Sequence, residues 1–227
     1  MIIKTEKGEI EYTESLSKAF GIGKKSVVSI IGAGGKTSLV FALAEEISHS
    51  LSVLVTTSTH MYCEKGFVTT GKSEDIIKAA DKQRYVCAGI LNEKSGKIST
   101  LEKAELEKCM DFFDVTIAEA DGARHMKIKY PRENEPTPVL NTTDTILVMN
   151  ISAIGEKLQD VCFNPPKDSG VVTCETVREC IKKYREKCIK FSVFLNGTEN
   201  EKNKADFLKI SEAFDGIKII GGNILRS

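Results

Sequence analysis

VVSIIGAGGKTSLVFALAEEI, Val27 to Ile47, joins an apolar run, a glycine turn and an amphipathic repeat without a break. The run Val27 to Ile31 reads as a strand buried on both faces, as a parallel sheet covered by helices requires. Gly32, Gly34 and Gly35 supply a turn whose backbone N–H groups can converge on an anion. The helix that begins near Lys36 turns its positive dipole end to the same point. Strand, glycine turn, Lys-Thr and helix follow one another as in a phosphate-binding loop, here in the shortened form GxxGKT. In this reading Gly32, Ala33, Gly34, Gly35, Lys36, Thr37 and Ser38 wrap the polyphosphate of ATP or GTP. Lys36 meets the β- and γ-phosphate oxygens, and the Thr37 hydroxyl ligates Mg²⁺. The plain alternative is a strand-to-helix turn with a solvated lysine.

A second stretch, GFVTTGKS (Gly66 to Ser73), matches the longer pattern GxxxxGK[ST] letter for letter, whereas Ile30 stands where that pattern would need its first glycine. Context outranks spelling here. HMYCEK before Gly66 is no buried strand, and Phe67-Val68 falls inside the supposed loop. Lys72 is expected at the surface, with Ser73 as the N-cap of a helix SEDIIKAA.

Outward from Val27 the same alternation continues. VLVTT (Val53 to Thr57), YVCAGIL (Tyr85 to Leu91), VTIAEA (Val115 to Ala120), TILVMN (Thr145 to Asn150), FSVFLN (Phe191 to Asn196) and IKIIGG read as strands. Between most of them lie helical stretches such as SEDIIKAADK, LEKAELEKCMDFF, CETVRECIKKYREK and KADFLKISEAF. The expected fold class is α/β: a doubly wound, mainly parallel sheet with helices on both faces, a three-layer sandwich like that of the P-loop NTPases. The 227 residues, 41% hydrophobic, suit a single domain over 1–227. Residues 1–25 read as an N-terminal extension, a short strand pair and a helix SLSKAF capped by Thr13 or Ser15. The final strand is expected at a sheet edge unless the sequence is truncated.

EADGA follows VTIA at the carboxyl end of a central strand, the edge where open α/β sheets bind ligands. Glu119 and Asp121 are two apart and would share a face. Two carboxylates held together need a cation between them, and Mg²⁺ answers that need. Asp121 is the favoured ligand, with Glu119 as second ligand or as the base that orients water. The alternative is an acidic strand end in solvent. Thr57 and Thr59, in the hydroxyl-rich turn TTSTH, are candidates for contact with phosphate, metal or substrate, although such residues also satisfy their own turns. The irregular stretch from Gly122 to Asp144 carries Arg124, His125, Lys127, Lys129, Arg132 and Glu135. Folded over the phosphates, Arg124 or Lys129 would neutralise charge on a transferred group; otherwise they are solvated charges on a mobile lid. Asn196 ends a late strand, where many P-loop proteins read the base, and an Asn-Gly turn explains it equally well.

Composition narrows the partners. Lys plus Arg and Asp plus Glu are 32 each, so no global field draws the chain to nucleic acid or to an anionic membrane. No apolar run approaches the roughly 18 residues of a membrane helix, and MIIKTEKGEIEYTES lacks a signal-peptide core, so a cytoplasmic protein is expected. The seven cysteines are scattered without a CxxC pair, and reduced, buried thiols are expected of them.

Taken together, IIGAGGKTSLVFALAEE, VLVTTSTHMY, EADGARHMKIKYPRENEPTPVL and the late FLN resemble the YqeC family, accessory proteins of selenium-dependent molybdenum hydroxylases. The resemblance runs from about Val27 onward. It implies a P-loop fold, a cytosolic bacterial or archaeal protein, and a molybdenum hydroxylase or its cofactor-maturation proteins as partners. By position it assigns Gly32, Gly35, Lys36 and Thr37 to the nucleotide loop and Glu119, Asp121 and Gly122 to an acidic motif. Lys129, Glu135 and Pro136 match a loop signature. HMKIKY and CFNPPK depart from the family pattern. The expected activity is that of a Mg²⁺-dependent nucleoside triphosphatase or phosphoryl-transfer protein. A ligase or kinase of the Mur type and a non-enzymatic, nucleotide-switched binding module remain as alternatives.

Overall fold

The computed structural model describes residues 1–167, 170–188 and 190–224. Its strands are β1 (Ile2–Lys4), β2 (Ile10–Tyr12), β3 (Val27–Gly32), β4 (Val53–Thr57), β5 (His60–Tyr62), β6 (Tyr85–Cys87), β7 (Ile90–Asn92), β8 (Lys97–Ser99), β9 (Val115–Glu119), β10 (Ile128–Lys129), β11 (Asp144–Asn150), β12 (Cys162–Phe163), β13 (Phe191–Asn196) and β14 (Lys218–Gly222). The α-helices are α1 (Leu16–Phe20), α2 (Lys36–Ile47), α3 (Ser73–Ala79), α4 (Lys103–Phe112), α5 (Leu158–Val161), α6 (Cys174–Arg185) and α7 (Glu201–Glu212).

Nine strands form one sheet in the order β2-β1-β14-β13-β11-β3-β9-β4-β6; β14 to β6 pair parallel, and only β1, antiparallel to both β14 and β2, is reversed. The α/β class is that expected from the alternation of apolar runs and helical stretches. Successive residues of each strand serve opposite layers. Val28, Ile30, Val53 and Val55 pack with Leu39, Val40 and Leu43 of α2 and with Leu16 and Phe20 of α1. Ile31, Leu147, Met149 and Val193 meet Val177, Ile181 and Tyr184 of α6 and Phe207 and Ile210 of α7. Leu54 and Val86 meet Ile76 of α3 and Leu106 and Cys109 of α4. Each of these aliphatic side chains, taken fully out of water, contributes about 1.5–3 kcal/mol.

The structure changes or decides several details of the sequence reading. The N-terminal strand pair is no appendage, because β1 pairs antiparallel with β14. The final strand β14 is therefore interior, and β2 forms that edge. Ser15, not Thr13, caps α1, and Gly21 closes it in the left-handed region at φ 71°. YVCAGIL is two strands, because Ala88 and Gly89 break between β6 and β7; the latter turns away to form a separate antiparallel sheet in the order β5-β8-β7. Lys72 rather than Ser73 is the N-cap of α3, and the amide of Ser73 donates to Glu105 at 2.6 Å. Among the described residues no helix is long and apolar enough to cross a membrane.

Candidate functional site

β3 and β9 are neighbours in the middle of the sheet, so their carboxyl ends bring Gly32 and Glu119 to one edge. The turn between β3 and α2 holds Gly32, Gly34 and Gly35 at φ 90°, 77° and 131°. Gly34 is also fixed by close approach: a Cβ there would lie 2.5 Å from the carbonyl oxygen of Lys127 and 2.7 Å from the Asn150 nitrogen. The Ala33 amide donates to the carbonyl of Val148 at 2.8 Å. The first turn of α2 then opens onto a cleft of about 1000 Å³ lined by Gly34, Gly35, Lys36, Thr37 and Ser38. Its leading N–H groups are those that a helix leaves without an internal acceptor.

Lys36, only 6% exposed, donates to the carbonyl of Gly32 at 3.0 Å and stands 3.8 Å from Glu119 and 3.6 Å from Asp121. The hydroxyl of Thr37 donates to Glu119 Oε2 at 2.7 Å. Loop and acidic pair thus meet, although β9 ends at Glu119 and Asp121 lies one residue beyond Ala120.

The two acids have different surroundings. Both oxygens of Asp121 accept from the Gly32 amide, at 3.1 and 3.2 Å, and Lys129 lies 3.2 Å away. Burial pushes the Asp121 carboxyl above the ordinary aspartate range, and the ammonium groups of Lys36 and Lys129 draw it partly back. Asp121 ties the glycine turn to the protein, whereas Glu119 faces Thr37. The Asp121 expected as the favoured metal ligand thus has protein partners on both oxygens.

Lys129 departs furthest from expectation. Read as a lid cation, it is fully buried and bonded to Asp121, to Glu135 at 3.0 Å and to the carbonyl of Gly122 at 2.8 Å. Its partners are protein groups, so it is not free to meet a transferred phosphoryl. Glu135 is likewise structural, accepting from the Arg132 amide at 3.1 Å. Lys187 donates to the carbonyls of Arg132, Glu133 and Glu135, and the hydroxyl of buried Ser29 in β3 accepts from the Val139 amide at 2.9 Å. These bonds hold much of the long loop against the sheet. Arg124 and His125 remain exposed at its tip, both with positive φ, 48° and 62°.

Asn196 lies beside the glycine turn with both ends of its amide engaged, donating to the Gly34 carbonyl at 3.0 Å and accepting from the Ile224 amide at 2.9 Å. This is a support for the loop rather than a free base-reading group. Thr57 Oγ donates to the carbonyl of Glu119 at 2.8 Å and accepts from the Thr59 amide, so it fixes the acidic strand end. Thr59 lines the cleft, and its buried hydroxyl finds no protein partner among the described residues.

Sequence reasoning missed the wall opposite the loop. Tyr62 of β5 stacks on His125 with ring centroids 6.3 Å apart, and Lys97 of β8 sits 4.5 Å over Tyr62. Phe163 of β12 is faced by Arg124, Lys129 and Arg132. NEKSG between β7 and β8, with Gly96 at φ 64°, was a legible hairpin signal. Nothing in CFNPPK marked Phe163.

Three of the buried thiols are held in the protonated form. Burial raises Cys87 to about 12 and Cys162 to about 11, and puts Cys180 well above its ordinary value. Among the described residues no three His, Cys, Asp or Glu side chains are grouped to hold a metal by themselves.

The YqeC family profile matches residues 28–166, a span that contains the glycine turn, both acids, Lys129 and Glu135. The chain belongs to the YqeC protein family. It is 32% identical over 142 residues to the uncharacterized protein YqeC of Escherichia coli (strain K12), across 60% of this chain and 56% of that one. The matched region thus spans little more than half of that YqeC relative. No solved structure matches the chain. Asn196 and the supporting Lys187 lie beyond the stretch that defines the family match.

Proposed function

We propose that this YqeC-family chain is a P-loop protein that binds Mg²⁺ with ATP or GTP and hydrolyses or transfers the γ-phosphoryl group. One observation carries the reading. Lys36, on the first turn of a helix that follows a glycine turn, is held between a backbone carbonyl and two carboxylates at the floor of a large cleft. An ammonium so placed can exchange those neighbours for phosphate oxygens, while the turn's N–H groups receive the remaining negative charge.

The donor set fits Mg²⁺. Thr37 Oγ and Glu119 Oε2 are hard oxygens 2.7 Å apart, and a Mg²⁺ site normally completes its shell with phosphate oxygens and water. Around them the ammonium groups of Lys36 and Lys129 face three carboxylates, Glu119, Asp121 and Glu135. Mg²⁺ would supply charge neutralisation at the phosphates. Asp121 and Lys129 hold the turn in shape, Thr57 fixes the strand end that carries Glu119, and Lys36 orients the phosphates. In hydrolysis a water oxygen bonds to the γ-phosphorus as the bond to the β-phosphate oxygen breaks, and Glu119 is the carboxylate best placed to orient that water.

The family resemblance adds a setting: a cytoplasmic accessory protein that assists maturation of a selenium-dependent molybdenum hydroxylase, with that enzyme or its maturation proteins as partners. The test begins with calorimetry. Wild-type protein is expected to bind Mg-ATP or Mg-GTP saturably, and Lys36→Ala to lose at least about tenfold in affinity, a change of about 1.4 kcal/mol. Equal affinity in the two proteins would defeat the reading.

A further inference from the structure

The cleft is larger than its phosphate floor, and its far wall has a different chemistry. Arg124 and Arg132, on either side of Lys129 in the chain, line it, and both lie over the ring of Phe163, at 5.7 and 4.7 Å from its centroid. Neither guanidinium has a carboxylate partner among the described residues. Three nearby acids are already committed. Glu135 is taken by Lys129 and by the Arg132 amide, Asp121 by Lys129 and Gly32, and Glu156 by Lys127. The backbone under Arg132 is pinned by Lys187, and that under Arg124 is held at φ 48°, a conformation a non-glycine residue adopts only when its surroundings impose it. Two exposed guanidinium groups without a carboxylate partner among the described residues, both over one aromatic ring that lines the cleft, suit an oxyanion. The planar fork of arginine favours a phosphate.

We propose that Arg124 and Arg132, seated on Phe163, bind the phosphate of a second small-molecule substrate, a phosphomonoester, in the same cleft as the nucleotide loop. The assignment rests on the nucleotide reading only for the word second; the arginine site itself does not require it.

Phenyl phosphate is a suitable probe, titrated by calorimetry into the protein alone and into protein saturated with Mg²⁺ and a non-hydrolysable ATP analogue. Saturable binding is expected in both states. Arg124→Ala and Arg132→Ala are each expected to weaken it about tenfold or more. Both variants should keep wild-type affinity for the Mg-nucleotide, which also shows that they fold. Lys36→Ala should do the reverse, losing nucleotide and keeping phenyl phosphate. If nucleotide fails to bind while the arginine dependence holds, the nucleotide reading falls and this one stands. The proposal is overturned if phenyl phosphate does not bind wild-type protein, if neither arginine variant weakens it, or if it is lost in Lys36→Ala and displaced by nucleotide. Binding of a single-stranded oligonucleotide through the same arginines, tighter than phenyl phosphate, would also overturn it.

Discussion

Lys129 is a lysine with no exposed surface, and its ion pairs with Asp121 and Glu135 join the glycine turn to the long loop. Removing one partner of a buried ionic group leaves the others charged without compensation, which costs about 3–5 kcal/mol. Lys129→Met is therefore expected to lower stability by about that amount in denaturant titrations. A loss below about 1 kcal/mol would mean that the triad is not closed as described. The types of residue at this site were legible in the sequence, but their roles were not. Lys36, Thr37 and Glu119 follow from position on strand ends and a helix start. That Lys129 is buried and Asn196 committed to Gly34 depends on contacts between residues far apart in the chain, which periodicity does not encode.

At the scale of elements, α1 shows how a short helix is secured. Five residues are too few to be stable alone, and the Glu46 carboxylate of α2 supplies the missing acceptors. It receives the amides of Leu16 and Ser17 at 2.8 and 2.9 Å and the hydroxyls of Ser15 and Ser17 at 2.7 and 2.6 Å. Burial alone would raise its pKa, but the bonds from Ser17, Ser15 and Leu16 outweigh it and hold the carboxyl below the ordinary glutamate range. A depressed carboxyl stabilises the fold above its unfolded pKa, and that contribution disappears as pH falls through the depressed value. Glu46→Gln is thus expected to weaken α1 by about 1 kcal/mol at neutral pH, read as faster amide exchange at residues 16–20. The difference from wild type should vanish in acid. A gap that persists undiminished at low pH would exclude the carboxylate as its source. Long apolar strands and periodic helices were legible because burial dictates their pattern. The three-residue strands β5 and β8 were not, since a strand that short leaves no period to read.

Across the whole molecule, the sheet extends past β14 only because the N-terminus returns to it. Lys4 of β1, 6% exposed, donates to the carbonyls of Ser211, at 2.8 Å, and Phe214, and lies 3.6 Å from Asp215. Deleting residues 1–14 would strip β14 of its partner and expose an unpaired strand edge, a template for association. The shortened protein is expected to melt at a lower temperature and to scatter light at concentrations where the full chain does not; identical melting would show that β1 and β2 are dispensable. Arrangement on this scale lay beyond the sequence reading, because strand order is decided by which edges meet and not by the strands' composition.

The central claim concerns a single point, where the start of α2 meets the acid of β9, and a crystal structure with Mg²⁺ and a non-hydrolysable ATP or GTP analogue tests it most directly. The polyphosphate is expected against the amides of Gly34 to Ser38, with Lys36 on its β- and γ-oxygens and Mg²⁺ on the Thr37 hydroxyl beside Glu119. Nucleotide bound elsewhere in the cleft, with Lys36 still turned to Gly32 and Asp121, would contradict the account.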